Sequence, residues 1–253
     1  MKVVHLKLKE NSYKIVIGNK IISRLPRLLK TLGLGKDAVI ITDRSVEKLH
    51  AGKVAAALKS GGFSVKVFSV SPGEQSKSGQ TALNLIEQIA RFDVGRNILI
   101  VALGGGVIGD LAGFVAAVYK RGVPYVQVPT TLLAQIDSAI GGKVAIDLSV
   151  GKNLAGAFYQ PKLVFSDVQF LTTLDQRQIR NGLAEAVKYG VILDQKLFAY
   201  LERNSEKSLS LDERVLTKVV EECSRIKAGV VSEDETDDNL THFLRHAPMY
   251  AQS

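Results

Sequence analysis

Four polar residues that could bind an anionic ligand fall in one short stretch of the sequence. They are Asp137, Lys143, Lys152 and Asn153, and glycines rather than regular helix or strand patterns separate them. Lysine and amide groups bind phosphate and hydroxyl groups, so one interpretation is a pocket for a ligand that carries both. The other interpretation is a set of loop residues in contact with water, because polar side chains on loops are easily solvated.

A second candidate site is the glycine-rich turn after the apolar run 97–102. Gly104, Gly105 and Gly106 follow that run, and an apolar helix pattern begins at Val107. In a strand–turn–helix unit, such a turn leaves backbone N–H groups free at a helix N-terminus, where the helix dipole also favours an anion such as a diphosphate. A plain tight turn is the alternative. Asp110 could complement the dipole or bind the nicotinamide end of a cofactor.

The elements that must position these residues alternate between strands and helices. An early hairpin is followed by short apolar runs near 38–42, 63–70, 97–102, 124–128 and 163–165, with helix patterns between most of them. This alternation predicts an α/β fold with a Rossmann-like, mostly parallel sheet. Asp43 ends one of these strands and could either cap the next helix or bind a ribose.

After residue 168 the pattern becomes helix after helix. Helices are predicted over about 175–189, 194–201 and 211–231, and the last of them has an apolar stripe that includes Cys223. We therefore expect an α/β domain over 1–167 and an all-helical domain over 168–253. Lys227 lies beside the apolar stripe, and Glu185 and Lys188 share one face of the first helix, where a surface ion pair is the simplest explanation.

Composition favours a soluble protein with an anionic partner. The 33 Lys and Arg against 25 Asp and Glu give a net charge of +8. Nucleic acid is not expected as a partner, because the chain has no basic run, no Trp and few aromatic residues. No stretch is long and apolar enough for a membrane span or a signal peptide, so a cytoplasmic location is expected. The single Cys223 is expected to be a buried structural thiol.

Five motifs together resemble the 3-dehydroquinate synthase family. They are PGEQSK (72–77), GGGVIGDLAGF (104–114), RGVPYVQVPTTLLAQIDSAIGGK (121–143), GKNLAGAFYQP (151–161) and GLAEAVKYG (182–190). The resemblance implies a cytoplasmic, homodimeric lyase of the shikimate route. It would use NAD and zinc, or cobalt, to convert 3-deoxy-D-arabino-heptulosonate 7-phosphate to 3-dehydroquinate and phosphate.

The resemblance implies that 1–167 is the NAD-binding α/β domain and that 168–253 is a partial, helical substrate and metal domain. It also implies roles for individual residues. NAD would be held by Asp43, Pro72, Gly73, Glu74, Gln75, Ser76, Lys77, Gly105, Gly106, Val107, Ile108, Gly109, Asp110, Thr130, Thr131, Lys143, Lys152, Phe170, Leu171, Thr172 and Thr173. The substrate would be bound by Arg121, Asp137, Lys143, Lys152, Asn153, Lys188 and Lys227. By the family pattern, Arg121 reaches the phosphate across a dimer interface, and Glu185 is one of three metal ligands.

The last residues depart from the family pattern. The family continues past the pair Asp234-Glu235 into an Asn-x-Gly-His-Thr-x-x-His motif and a further His, which carry the other two metal ligands. Here His242 and His246 come earlier and lack the flanking Gly. We therefore expect a C-terminally truncated synthase with an intact NAD domain and doubtful activity. His5 and His50 lie far in sequence from every motif.

Three alternatives stay open at this point. The first is another sugar-phosphate cyclase, such as a 2-deoxy-scyllo-inosose synthase. The second is a related metal-dependent polyol dehydrogenase, which would form NADH. The third is an inactive remnant that binds only NAD.

Overall fold

A computed structural model describes residues 1–94 and 97–235. Nine strands form two sheets: β1 (Lys2–Leu6), β2 (Tyr13–Gly18), β3 (Asp37–Asp43), β4 (Ser64–Val70), β5 (Ile98–Gly104), β6 (Tyr125–Pro129), β7 (Lys143–Leu148), β8 (Gly151–Phe158) and β9 (Leu163–Asp167). β3, β5, β6 and β9 are almost wholly buried. Their continuous apolar runs are typical of strands that are covered on both faces of a parallel sheet.

The main sheet has seven strands in the order β1-β2-β9-β6-β5-β3-β4. Only β1 is antiparallel to its neighbour, and every other pairing is parallel. The predicted N-terminal hairpin and the mostly parallel sheet are therefore confirmed. The carboxyl ends of β3, β4, β5 and β6 lie at one edge, which is where open α/β sheets bind ligands.

Within residues 1–94 and 97–235, nine α-helical segments connect and pack around the sheet. They are α1 (Leu25–Thr31), α2 (Arg44–Val46), α3 (Gly52–Ser60), α4 (Gly79–Phe92), α5 (Gly106–Val118), α6 (Gln176–Ile192), α7 (Gln195–Arg203), α8 (Ser205–Leu209) and α9 (Glu213–Glu233). The described ranges also contain two π-helical turns, Glu47–Ala51 and Ala134–Ser138, and several short 3₁₀ turns. Every helix in these ranges is too short or too polar to cross a membrane.

The hydrophobic core joins the early hairpin to the late helices. Leu6 and Ile15 from the hairpin belong to the same buried cluster as Val219 and Cys223 from α9. Cys223 is fully buried, as the sequence predicts for a structural thiol. The helical character after residue 168 is also confirmed, whereas the division into domains at 167/168 stays a prediction.

The sequence interpretation was wrong about the segment that carries Lys143, Lys152 and Asn153. In place of irregular loops, the structure has an antiparallel hairpin, with β7 paired to β8 and a turn between Leu148 and Gly151. β8 escaped detection because nearly all of its residues are exposed, so its sequence shows no alternation of apolar and polar residues. The short helix α8 was also missed.

Candidate active site

A cavity of the described residues lies at the carboxyl ends of the parallel strands. Its volume is about 470 Å³. Its walls come from the ends of β3, β5 and β6, from the loop after β4 and from the segment that leads into α6, and they comprise Asp43, Ser45, Val46, Leu49, His50, Ser71, Pro72, Gly73, Gly105, Gly106, Val107, Ile108, Thr130, Thr131, Thr173, Leu174, Asp175 and Gln178. Many of the residues predicted to hold NAD therefore line one crevice.

The glycine turn forms one wall of this cavity. Gly105 is the N-cap of α5, and no side chain of the described residues caps that helix. A Cβ atom on Gly105 would lie 3.0 Å from Cγ2 of Thr131, and one on Gly106 would lie 3.0 Å from Oγ of Ser138. Ser138 Oγ is itself buried and has no hydrogen-bond partner among the described residues. The turn therefore offers an uncapped helix N-terminus and an unused hydroxyl, which suits a diphosphate.

Asp43 caps the helix that follows β3, as one sequence interpretation suggests, and it also lines the cavity. Its Oδ1 accepts hydrogen bonds from the backbone N–H groups of Ser45 and Val46, at 2.8 and 3.0 Å, so it caps α2. The same residue lines the cavity. A capping bond to one oxygen leaves the carboxylate able to accept further hydrogen bonds, so the cap and a ribose contact are compatible.

Lys77 anchors the loop that follows β4. We call this loop, residues 71–77, the cofactor loop because the family pattern assigns it to NAD. The side chain of Lys77 is 4% exposed. Its ammonium group lies 2.5 Å from Oδ2 of Asp110 on α5 and also donates to Oδ1 of Asn153 on β8. Burial raises the pKa of Asp110 to about 6, against the opposing effect of Lys77. The contact joins residues from the cofactor loop, the helix after the glycine turn and the β7–β8 hairpin.

Asp137 is the centre of a second group of charged residues. It lies in the π-helical turn after β6, and its Oδ1 accepts hydrogen bonds from Lys227 Nζ on α9 and from Tyr189 OH on α6, both at 2.6 Å. Burial alone would raise the pKa of Asp137, but Lys227 and then Tyr189 outweigh it and hold that pKa below its usual value. Asp137 is therefore ionised at neutral pH.

Lys188 and Glu185 lie beside this group. They form an ion pair on α6, and about 15% of each side chain is exposed. Lys188 also contributes to the lowered pKa of Asp137, so the three residues share one neighbourhood. The sequence missed Tyr189, whose pKa is raised far above its usual value by burial and by Asp137.

The described residues do not form a complete metal site. No three His, Cys, Asp or Glu residues within 1–94 and 97–235 are grouped as metal ligands would be. Glu185 is paired with Lys188 instead, and His242 and His246 lie outside the described residues. Catalytic zinc normally has three protein ligands, so Glu185 alone does not fit it.

Other predicted site residues lie in different surroundings. Lys152 is exposed and lies 3.9 Å from Glu74 of the cofactor loop. Arg121 is also exposed and follows α5, so it lies at the edge of the sheet opposite the cavity. The side chains of Phe170 and Leu171 are buried in the core, and only their backbone could reach a cofactor.

His50 is the wall residue that sequence reasoning placed far from every motif. It is 7% exposed, and its Nε2 lies 2.9 Å from Oγ1 of Thr173. Its ring packs against Phe170 with the centroids 4.8 Å apart, and burial lowers its pKa. No short motif marks this histidine, because the π-helical turn after Asp43 brings it into the crevice.

Two family profiles match the chain over most of its length. Residues 67–181 match the 3-dehydroquinate synthase N-terminal family, and residues 182–246 match the 3-dehydroquinate synthase C-terminal family. Among curated relatives, the 3-dehydroquinate synthase of Desulforamulus reducens is 45% identical over 98% of this chain and 70% of its own length. That of Pelobacter propionicus is 47% identical over 97% of this chain and 68% of its own length.

Solved structures of sugar-phosphate cyclases share the fold. A 2-deoxy-scyllo-inosose synthase complexed with carbaglucose-6-phosphate, NAD⁺ and Co²⁺ has a TM-score of 0.85 at 28% identity, over 94% of this chain and 64% of that one. A 2-epi-5-epi-valiolone synthase from Streptomyces hygroscopicus with NAD⁺ and Zn²⁺ has a TM-score of 0.82, over 94% of this chain and 66% of that one. Together with the curated relatives and the matching motifs, these likenesses show that the chain belongs to the 3-dehydroquinate synthase family.

Proposed function

We propose that this chain binds NAD and 3-deoxy-D-arabino-heptulosonate 7-phosphate in the manner of a 3-dehydroquinate synthase, a lyase that forms 3-dehydroquinate and releases phosphate. The curated relatives carry that name, and the two cyclase structures were determined with NAD⁺. The proposal covers the residues that bind and orient the two molecules.

The cavity at the sheet edge fits NAD. Gly105 and Gly106 leave room for a diphosphate at the N-terminus of α5, and Ser138 supplies an unused hydroxyl there. Asp43 would accept hydrogen bonds from a ribose, and Asp110 lies one turn further into α5, toward the nicotinamide end. When bound, NAD accepts a hydride from the substrate alcohol and later returns it.

The observation that carries the substrate proposal is the pair of hydrogen bonds to Asp137. Lys227 and Tyr189 come from two different helices and fix one carboxylate next to the sheet. An ionised, oriented carboxylate is suited to accept a hydrogen bond from a substrate hydroxyl. Lys188 and Lys227 are each about 16% exposed and are paired with Glu185 and Asp137. The ammonium hydrogens that these pairs leave free would donate to the anionic groups of the sugar acid.

No step is assigned to a metal ion. The two cyclase structures contain Co²⁺ or Zn²⁺, and Glu185 is the one family-pattern ligand within the described residues. The proposal therefore covers the binding of NAD and substrate and no metal-dependent step.

Arg121 is a candidate contact with a second copy of the chain. It is exposed, has a φ of +63°, and lies at the sheet edge away from the cavity. A role in substrate binding therefore requires a neighbouring subunit, which supports a homodimer in which each Arg121 serves the partner's pocket. Analytical ultracentrifugation of wild type and Arg121→Ala, with and without substrate, tests this.

The proposed function is tested by calorimetric titration followed by product analysis. We expect NAD to bind, and the heptulosonate phosphate to bind to the NAD-loaded chain. NAD binding without substrate binding would support the NAD-binding remnant instead. With zinc and substrate added, phosphate and 3-dehydroquinate without net NADH would support the synthase, whereas net NADH would support a dehydrogenase. Binding of glucose 6-phosphate in preference would favour the other cyclase.

A further inference from the structure

Asp147 connects the β7–β8 hairpin to the cofactor loop. Its backbone N–H donates to the carbonyl oxygen of Lys77 at 2.7 Å. Ser78, the next residue after Lys77, forms a parallel β-bridge with Asp147. Its carboxylate Oδ1 accepts the backbone N–H of Asn153 at 2.8 Å. One residue therefore contacts both the end of the loop 71–77 and the start of β8.

The hairpin register explains why the carboxylate of Asp147 faces Asn153. Ile146 pairs with Ala155 and Leu148 pairs with Gly151, so the ladder is irregular at the residue between them. Such bulges change the direction of a side chain and are common beside active sites. Here the irregularity lets the Asp147 carboxylate accept a hydrogen bond from the opposite strand.

Asn153 is held at both its backbone and its side chain. Its φ is +58°, in the left-handed region, which asparagine adopts more readily than most non-glycine residues. The Asp147 carboxylate holds its N–H, and Lys77 Nζ donates to its Oδ1. Backbone and side chain of Asn153 are thus both fixed by contacts that lead back to the cofactor loop.

We propose that Asp147 is a positioning residue. It holds Lys152 and Asn153, at the start of β8, against the cofactor loop and so sets the affinity for the anionic substrate. This inference rests on the proposed function, because it takes Lys152 and Asn153 to contact the sugar phosphate. Asp147 itself touches neither ligand; it acts through Asn153.

The structural half of the inference is tested by hydrogen exchange on the ligand-free protein. Asp147→Ala removes the acceptor, so the Asn153 amide should exchange about tenfold faster, as expected for loss of one hydrogen bond. Asp147→Asn keeps an acceptor oxygen and should restore most of the protection. Asp194→Ala is the matched control, since Asp194 accepts backbone N–H bonds from Lys196 and Leu197 at the start of α7. The proposal would be overturned if the Asn153 amide exchanged at the wild-type rate in Asp147→Ala. It would also be overturned if that same amide were accelerated equally in Asp194→Ala.

The functional half is tested by calorimetry with NAD and with the heptulosonate phosphate, in EDTA to prevent turnover. Asp147→Ala should weaken substrate binding about tenfold, which corresponds to roughly 1.4 kcal/mol. The same variant should change NAD affinity less than twofold. Asp147→Asn should bind nearly as wild type. Equal losses in both variants would mean that the charge contacts the ligand directly and would overturn the positioning role. If wild type fails to bind the substrate while exchange behaves as expected, the positioning contact stands and the proposed function fails.

Discussion

The ammonium group of Lys227 lies 2.6 Å from the carboxylate of Asp137. Lys227 belongs to the long helix α9, and Asp137 to the π-helical turn that follows β6. This ion pair is a direct polar link between the late helices and the edge of the sheet where the parallel strands end. Because both side chains are largely buried, removal of either one leaves a charge without its compensation.

Replacement of Lys227 should raise the pKa of Asp137 and lower stability. In the wild type, a pKa below 3.8 means that ionised Asp137 stabilises the fold at neutral pH, and this contribution is lost as the pH falls through the lowered pKa. In Lys227→Met, the free energy of unfolding at pH 7 should fall by about 1–3 kcal/mol. NMR titration and urea denaturation measure the two effects.

Lys218→Met is the control for this prediction. Lys218 lies on the same helix, pairs with Glu222 and is 48% exposed. Exposed pairs contribute little, so its loss should change stability by less than about 1 kcal/mol. Equal losses in the two variants would contradict the importance of the Asp137 contact.

Tyr189→Phe should weaken the same site by a smaller amount. It removes the hydroxyl that donates to Asp137 at 2.6 Å but leaves Lys227 in place. The expected cost is about 1 kcal/mol of unfolding free energy, together with a rise in the pKa of Asp137. Tyr200→Phe, whose side chain packs against the same core, is the matched control. An unshifted Asp137 pKa in Tyr189→Phe would argue against the hydrogen bond.

Gly106→Ala should reduce NAD affinity by about tenfold or more, because the added methyl group takes up room at the helix N-terminus where the diphosphate would bind. It would also lie 3.0 Å from Ser138 Oγ. Gly229→Ala on α9 is the control, since its Cβ meets nothing within 4 Å. Calorimetric titration with NAD compares the two. NAD affinity that is the same in Gly106→Ala as in wild type would place the diphosphate elsewhere.

The pH dependence of stability should show the unusual pKa of Asp110. A carboxyl whose folded pKa is about 6 binds its proton more tightly in the folded than in the unfolded state, so its contribution to stability falls as the pH rises from about 4 to above 6. The contribution lost is roughly 2–3 kcal/mol. Asp110→Asn should lack this loss of stability. The loss is measured by comparing the unfolding free energy of wild type and Asp110→Asn as a function of pH. Parallel curves from pH 4 to pH 7 would refute the raised pKa of Asp110.

Much of the fold follows from local patterns in the sequence. The apolar run of β5 and the glycine turn predict a buried strand, a tight connection and a helix, and that is what the structure has. Apolar spacing likewise predicts α9 with Cys223 on its buried side. These features depend on neighbours in the chain, so periodicity detects them.

The parts that sequence patterns missed depend on contacts distant in sequence. His50 lies in the cavity wall because a π-helical turn brings it there, and its ring packs on Phe170, a residue distant in sequence. Tyr189 belongs to the site because its hydroxyl donates to Asp137, which lies 52 residues earlier in the chain. Asp147 carries no motif signal, because its importance comes from an irregular ladder and a bond to Asn153.

The most direct test of the account is a calorimetric titration of the NAD-loaded chain with 3-deoxy-D-arabino-heptulosonate 7-phosphate, run on wild type and Lys227→Met. We predict that wild type binds the ligand and that the variant binds it at least about tenfold more weakly, with NAD affinity unchanged within twofold, since a largely buried charged contact would be lost. Equal affinity in both proteins, or no binding to wild type, would contradict the assignment of the substrate to the Asp137–Lys227 site.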